Sequence, residues 1–213
     1  MNGLVFQSEL QALMWVRAVQ DELGVEERLW WICLIRSWNE AVKAGMGGRL
    51  WCPPRKGWVK FNLCGAVNED EIGCGGVLRE LDGVARAVFL GPMVAKDSLA
   101  TEVGAIIIAL DMFSALGWNS KCSLIIELGS KEVCCWIENN GLRPWVLLPC
   151  FREIDSRLAR ISNVCFAIAD KIGNDLVFVL AVAGIRRPDM YKACWQSNCR
   201  GAMALVVYNC LCF

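Results

Sequence analysis

The 213-residue chain contains no histidine. That absence excludes a Ser-His-Asp triad, a Cys-His dyad and a Cys2His2 zinc site. Cys-x-x-Cys spacing is also missing. The nearest cysteine pairs are Cys134 with Cys135, Cys194 with Cys199, and Cys210 with Cys212. Thirteen cysteines is an odd number in a chain that is not small, so buried free thiols are expected rather than a disulfide framework. Neither sign of charge is in excess: 22 Lys and Arg balance 22 Asp and Glu, whereas a dedicated nucleic-acid binder is usually basic. No apolar run approaches the roughly 20 residues that span a bilayer. The ten residues Leu176 to Ile185 read as a buried helix, and no membrane association is expected. The opening residues lack the basic start and apolar core of a signal peptide, which sets an intracellular expectation.

What is present is organised around Trp58 to Glu80. Val59, Phe61 and Leu63 alternate with Trp58, Lys60, Asn62 and Cys64, the period of a half-buried strand. A polar turn at Asn68 to Glu71 leads into a second strand. It begins Gly73-Cys74-Gly75-Gly76, where missing side chains let another element approach the backbone. Asp82-Gly83 is a hairpin signal, and Val84 to Phe89 makes a third strand. Asp97-Ser98 caps a helix over 99–116 that Gly117 ends, and Lys121 to Leu128 is a fourth strand. Ser130 caps a helix over 131–139, a further helix covers 151–161, Val164 to Ala169 is a fifth strand, and Asn174-Asp175 starts a last helix to Gly184.

This order predicts an α/β fold, a mixed five-stranded sheet with helices on both faces, over residues 58–184. Residues 1–50 read as a helical arm whose Trp-rich face (Trp30, Trp31, Trp38) asks for a protein partner or for the domain itself. Residues 51–57 read as a Pro-rich linker and 185–213 as an irregular tail.

The chain resembles the RNase H fold. Within that fold it is similar to the reverse-transcriptase-like RNase H domains of plant proteins related to non-LTR retrotransposons. The phrases that carry the resemblance are Trp51-x-Pro53-Pro54, Lys60-Phe61-Asn62-x-x-Gly65-Ala66, and Gly73-x-Gly75-Gly76-Val77-Leu78-Arg79 with Asp82-Gly83. They continue with Asp97-Ser98-x-x-x-Glu102, Glu127-x-x-Ser130, and Asn174 with Leu180-Ala181-x-x-Gly184.

The resemblance implies four carboxylates holding two Mg²⁺ ions that hydrolyse RNA in an RNA–DNA hybrid. Only the helix glutamate remains, as Glu102. The other three positions are Cys64, Gly129 and Phe178. A thiol is a soft, poor Mg²⁺ ligand, glycine offers no side chain, and Phe178 reads as core. The resemblance also places a basic residue at Lys171 and puts Ile168 where a histidine is often found. Glu127 and Asp175 are the only nearby substitute ligands.

The expected molecule is therefore a catalytically inactive RNase H-like domain without a cofactor. It would bind RNA–DNA hybrid or double-stranded RNA through Arg152, Arg157 and Arg160, with Lys60 and Lys171. The same arginines equally describe a solvated helix face. Two alternatives stay open: an active ribonuclease using Mg²⁺ on Glu102 with Glu127 and Asp175, and a decayed transposon-derived fragment with no maintained activity.

Overall fold

The computed structural model describes residues 51–169, 172–197 and 203–207; the expected N-terminal helical arm and Lys171 lie outside them. Strand β1 (Trp58–Asn68) turns at Glu69, which takes φ +54, into β2 (Glu71–Arg79), and Asp82-Gly83 turns β2 into β3 (Ala85–Pro92). Helix α1 (Ser98–Ala115) starts where the Asp97 side chain accepts from the Ala100 N–H at 2.8 Å and stops before Gly117 at φ +68. Strand β4 (Ser123–Leu128) feeds α2 (Lys131–Glu138), capped by the Ser130 hydroxyl accepting from the Val133 N–H at 3.2 Å. Two short 3-10 turns then lead to α3 (Leu148–Leu158), β5 (Val164–Ile168) and α4 (Asp175–Ile185).

The sheet has seven strands in the order β5-β4-β1-β2-β3-β6-β7, where the sequence pattern predicts five. The two extra strands, β6 (Tyr191–Ser197) and β7 (Met203–Val207), come from the stretch expected to be an irregular tail. Their physical reason is the outer edge of β3. Left open it would present a row of unpaired N–H and C=O groups, and β6 pairs antiparallel along it from Ala87↔Cys194 to Leu90↔Tyr191. The first residues of β6 serve both faces, with Tyr191 and Ala193 in the core cluster under α4 and Cys194 in the cluster under α1.

Strands β1 and β4 are parallel neighbours, so the chain enters both at one end of the sheet and leaves both at the other. The main core fills the face under α1, α2 and α3 with Phe61, Phe89, Phe113, Phe151, Ile106, Leu110 and Leu124. Each fully buried side chain of this kind contributes about 1.5–3 kcal/mol. By length and mean hydropathy, 1.5, α1 is also the one helix among the described residues long and apolar enough to cross a membrane; in this fold it is the central core helix.

Helix α4 covers the second face. A Cβ on Gly75 would stand 2.7 Å from the Ala181 backbone nitrogen, and one on Gly73 would meet the Ala181 and Ile185 backbone. These glycines bring helix and strand into direct backbone contact, the close approach expected from the Gly-rich start of β2. With helices on both faces β1 is buried on both sides over Val59 to Leu63 rather than half-buried there: Lys60 and Asn62 are buried along with Phe61 and Leu63. The expected linker is also part of the fold. It has no regular structure, but Pro54 is buried and Trp51 lies against the second face.

Candidate functional site

The exit end of β1 and β4 gathers three of the expected positions. Glu102 sits in the first turns of α1, Cys64 on β1, and Gly129 directly after β4. The Glu102 carboxylate is 6% exposed and both its oxygens are taken. Oε1 accepts from the Gly129 N–H at 3.0 Å and Oε2 from the Ser130 N–H at 3.2 Å. Glu102 thus ties α1 to the turn between β4 and α2. Burial pushes its pKa up to about 7, against the two backbone N–H groups, which pull it down. Burial, reinforced by the Glu102 charge, pushes the Cys64 thiol up to about 12, so it stays neutral at physiological pH. A Cβ on Gly129 would meet Glu102 Oε1 at 2.9 Å, so a side chain there would press on the carboxylate where it now sits.

Beside this cluster, on the α4 face, runs a buried polar ladder that spacing alone did not reveal. Lys60 Nζ donates to Glu127 Oε1 at 2.5 Å and to the Cys52 carbonyl at 2.7 Å. Asn62 Nδ2 donates to Glu127 Oε2 at 2.7 Å and to Asn174 Oδ1 at 3.3 Å, while Trp51 Nε1 donates to Asn62 Oδ1 at 3.0 Å. Asn174 Nδ2 closes on the Leu63 carbonyl at 2.9 Å. The Trp51 ring lies 5.0 Å from the Arg79 guanidinium and 5.9 Å from Lys60 Nζ. A buried ion pair persists only when its remaining hydrogen-bonding groups are satisfied, and this ladder satisfies them. The signal was present: Trp51, Lys60, Asn62, Glu127 and Asn174 all belong to the phrases that carry the resemblance.

No protein-family model matches the chain, and no curated protein matches it by sequence. Solved structures do. RNase H1 of the halophilic archaeon Halobacterium salinarum is 20% identical with a TM-score of 0.50, covering 60% of this chain and 97% of its own. LC11-RNase H1, isolated from compost, is 16% identical with a TM-score of 0.56, covering 61% and 96%. The N-terminal RNase H domain of Mycobacterium tuberculosis rv2228c is 18% identical with a TM-score of 0.52, covering 60% and 93%. The fold is RNase H-like.

On this RNase H-like frame the residues present do not fit two Mg²⁺ ions. Two adjacent Mg²⁺ ions need several carboxylate oxygens free to ligate and bridge them, the rest of each octahedron being water or substrate. Here the Glu102 oxygens face backbone N–H groups, Cys64 is a neutral thiol, and no group of three or more acidic, Cys or His side chains among the described residues is placed to hold a metal. Glu127, considered as a substitute ligand, is committed to Lys60 and Asn62. Asp175, the other candidate, opens α4 one turn before Phe178 and is half-buried. Phe178 itself is 53% exposed, contrary to its expected place in the core. The all-apolar helix α4 is an outer layer that buries Val177, Leu180 and Ala181 against the sheet, and Phe178 falls on its uncovered side.

The basic residues divide in the same way. Lys60 is 5% exposed and ion-paired, which removes it from any phosphate contact. Arg157 is held by Asp111 at 2.7 and 3.1 Å and by Glu153 at 3.0 Å. Arg152 is exposed on α3, and Arg160 is exposed in the turn that follows it, where its Nε donates to the Ser156 carbonyl at 3.2 Å.

Proposed function

We propose that this protein is a degenerate member of the reverse-transcriptase-like RNase H family, a non-catalytic domain that binds RNA–DNA hybrid. The observation that carries the reading is the state of Glu102: the one carboxylate at the expected metal position has both oxygens occupied by the Gly129 and Ser130 N–H groups. Two-metal hydrolysis needs that carboxylate free and three more beside it. Support for binding comes from the frame and from charge. LC11-RNase H1, 16% identical with a TM-score of 0.54, has been solved in complex with RNA/DNA hybrid. Arg152 on α3 and Arg160 in the turn after it give this chain two exposed cations. Binding of this kind rests on phosphate contacts, so it weakens with salt and does not require Mg²⁺.

The test is a labelled RNA–DNA hybrid offered to purified protein with Mg²⁺, Mn²⁺ or EDTA, read for retention and for cleavage. Salt-sensitive retention without cleavage is the expected result, with weaker retention in Arg152→Glu/Arg160→Glu. Metal-dependent cleavage that Glu102→Ala abolishes would overturn the non-catalytic reading. Absence of retention at low salt would overturn the binding reading. In the triple variant Cys64→Asp, Gly129→Asp, Phe178→Asp, the new side chain at 129 would displace Glu102 from its N–H partners and release it toward the other carboxylates.

A further inference from the structure

A concavity opens at the end of the sheet opposite Glu102. Strands β1 and β4 begin there, at Trp58 and Ser123, while Cys64 and Gly129 lie at their far ends. Six residues of strand at about 3.3 Å each put the two ends roughly 20 Å apart. The cavity is about 510 Å³, within the range of small-molecule sites. Two indoles, Trp58 and Trp118, line it, together with Lys56, Lys121, Glu80 and Asp82.

The charges around it resolve in one direction. Glu80 is ion-paired, its Oε2 accepting from Arg86 Nη2 at 2.7 Å; Asp82, exposed with its Oδ1 accepting from the Val84 N–H at 3.0 Å, keeps its charge but is outnumbered by the cations around it. Lys56 and Lys121 are exposed and make no ion pair with any described residue. A third cation, Arg55, stacks 4.4 Å from the Trp58 ring centroid. Trp118 is fixed edge-on against Phe113, with ring centroids 6.4 Å apart. Rigid aromatic walls under unpaired cations suit a ligand with a flat π-system and a negative charge. A bare anion would leave the indoles unused, and a neutral apolar molecule would leave the lysines unused.

The geometry points to a binding site for a planar aromatic anion of mononucleotide size, its ring against the indoles and its phosphate between Lys56 and Lys121. The site shares no residue with the Glu102 end or with α3, so it stands whether or not the domain binds hybrid. Its occupant is either a free mononucleotide or the phosphorylated end of a nucleic-acid strand; the recognising chemistry is the same.

Calorimetric titration of the full chain tests it with 5′-AMP, adenosine, ribose 5-phosphate and a 5′-phosphorylated oligonucleotide. Saturable AMP binding is expected, at least tenfold tighter than adenosine and than ribose 5-phosphate. The double variant Lys56→Glu/Lys121→Glu should weaken AMP at least tenfold while its thermal midpoint stays unchanged, because both side chains are exposed. An oligonucleotide that binds more tightly than AMP, and loses that affinity in Lys56→Glu/Lys121→Glu, assigns the strand end; one that binds more weakly, or is unaffected by the double variant, assigns the free nucleotide, and both uphold the site. No saturable AMP binding at millimolar concentration, or AMP affinity indifferent to the charge reversal, overturns it.

Discussion

At Glu102 two effects oppose each other, and the balance is readable in solution. Burial disfavours its carboxylate and two backbone N–H groups favour it; the pKa of about 7 says burial wins. For a buried acid whose folded pKa lies above its unfolded value of 4.5, the folded state retains a proton that the unfolded state releases. Its contribution is therefore fully present below 4.5 and is lost as pH rises through 7. The wild-type urea midpoint should fall between pH 5 and pH 8, by roughly 2–3 kcal/mol in stability from this group. Glu102→Gln should remove that slope. A slope that survives the substitution would mean another group carries it. Gly129 belongs to the same contact: Gly129→Ala pushes a methyl against Glu102 Oε1. A double-mutant cycle of Gly129→Ala with Glu102→Ala should give a coupling of at least about 0.5 kcal/mol, whereas strict additivity would separate the two residues.

Among the elements, β2 and α4 depend on backbone contact, and Trp51 depends on a single strap of chain. Gly75→Ala drives a methyl into the Ala181 backbone, where no flexible side chain can yield, and should cost about 1–3 kcal/mol or more in a denaturant titration. Trp51→Phe keeps a ring over Arg79 but leaves Asn62 Oδ1 without its donor, and should cost about 1–2 kcal/mol by the same measurement. These elements also mark how far the chain could be read in advance. Asp97 and Ser130 announced their helices by local hydrogen bonding, and the glycines of β2 announced a close approach, because both signals act within a few residues. The ladder did not announce itself. Lys60 meets Glu127 only through the parallel register that sets Asn62 beside Glu127, a relation 65 residues apart in the chain. Phe178 was misplaced for a related reason: an apolar helix does not say which of its sides the sheet will cover.

For the whole molecule, the sheet closes only with its last described strands. A chain ending at Met190 would lose Tyr191, Ala193 and Cys194 from two core clusters and expose the outer edge of β3. Such a truncation should lower the thermal midpoint by several degrees and elute as aggregate in size-exclusion chromatography, and an unchanged monomer would show that β6 is dispensable. Cysteine-rich composition has a similarly global reading. The nine described cysteines are free, but only Cys74, Cys134 and Cys194 are buried, their thiols pushed up to about 11 or 12 chiefly by burial. Cys52, Cys135 and Cys165 are exposed, against the expectation of buried thiols, because strand, helix and loop positions facing solvent carry cysteine too.

The contact between Asn62 and Asn174 joins residues 112 positions apart in the chain. At ribosomal speeds of about 5–20 residues per second, the central strand waits roughly 6–22 s for the partner that completes its polar side. Within that interval α1 and β4 emerge to pack Phe61 and Leu63 and to bring Glu127 to Lys60 and Asn62, but the face that α4 covers stays open. The nascent domain is thus exposed to misassembly and chaperone capture until the start of α4 emerges.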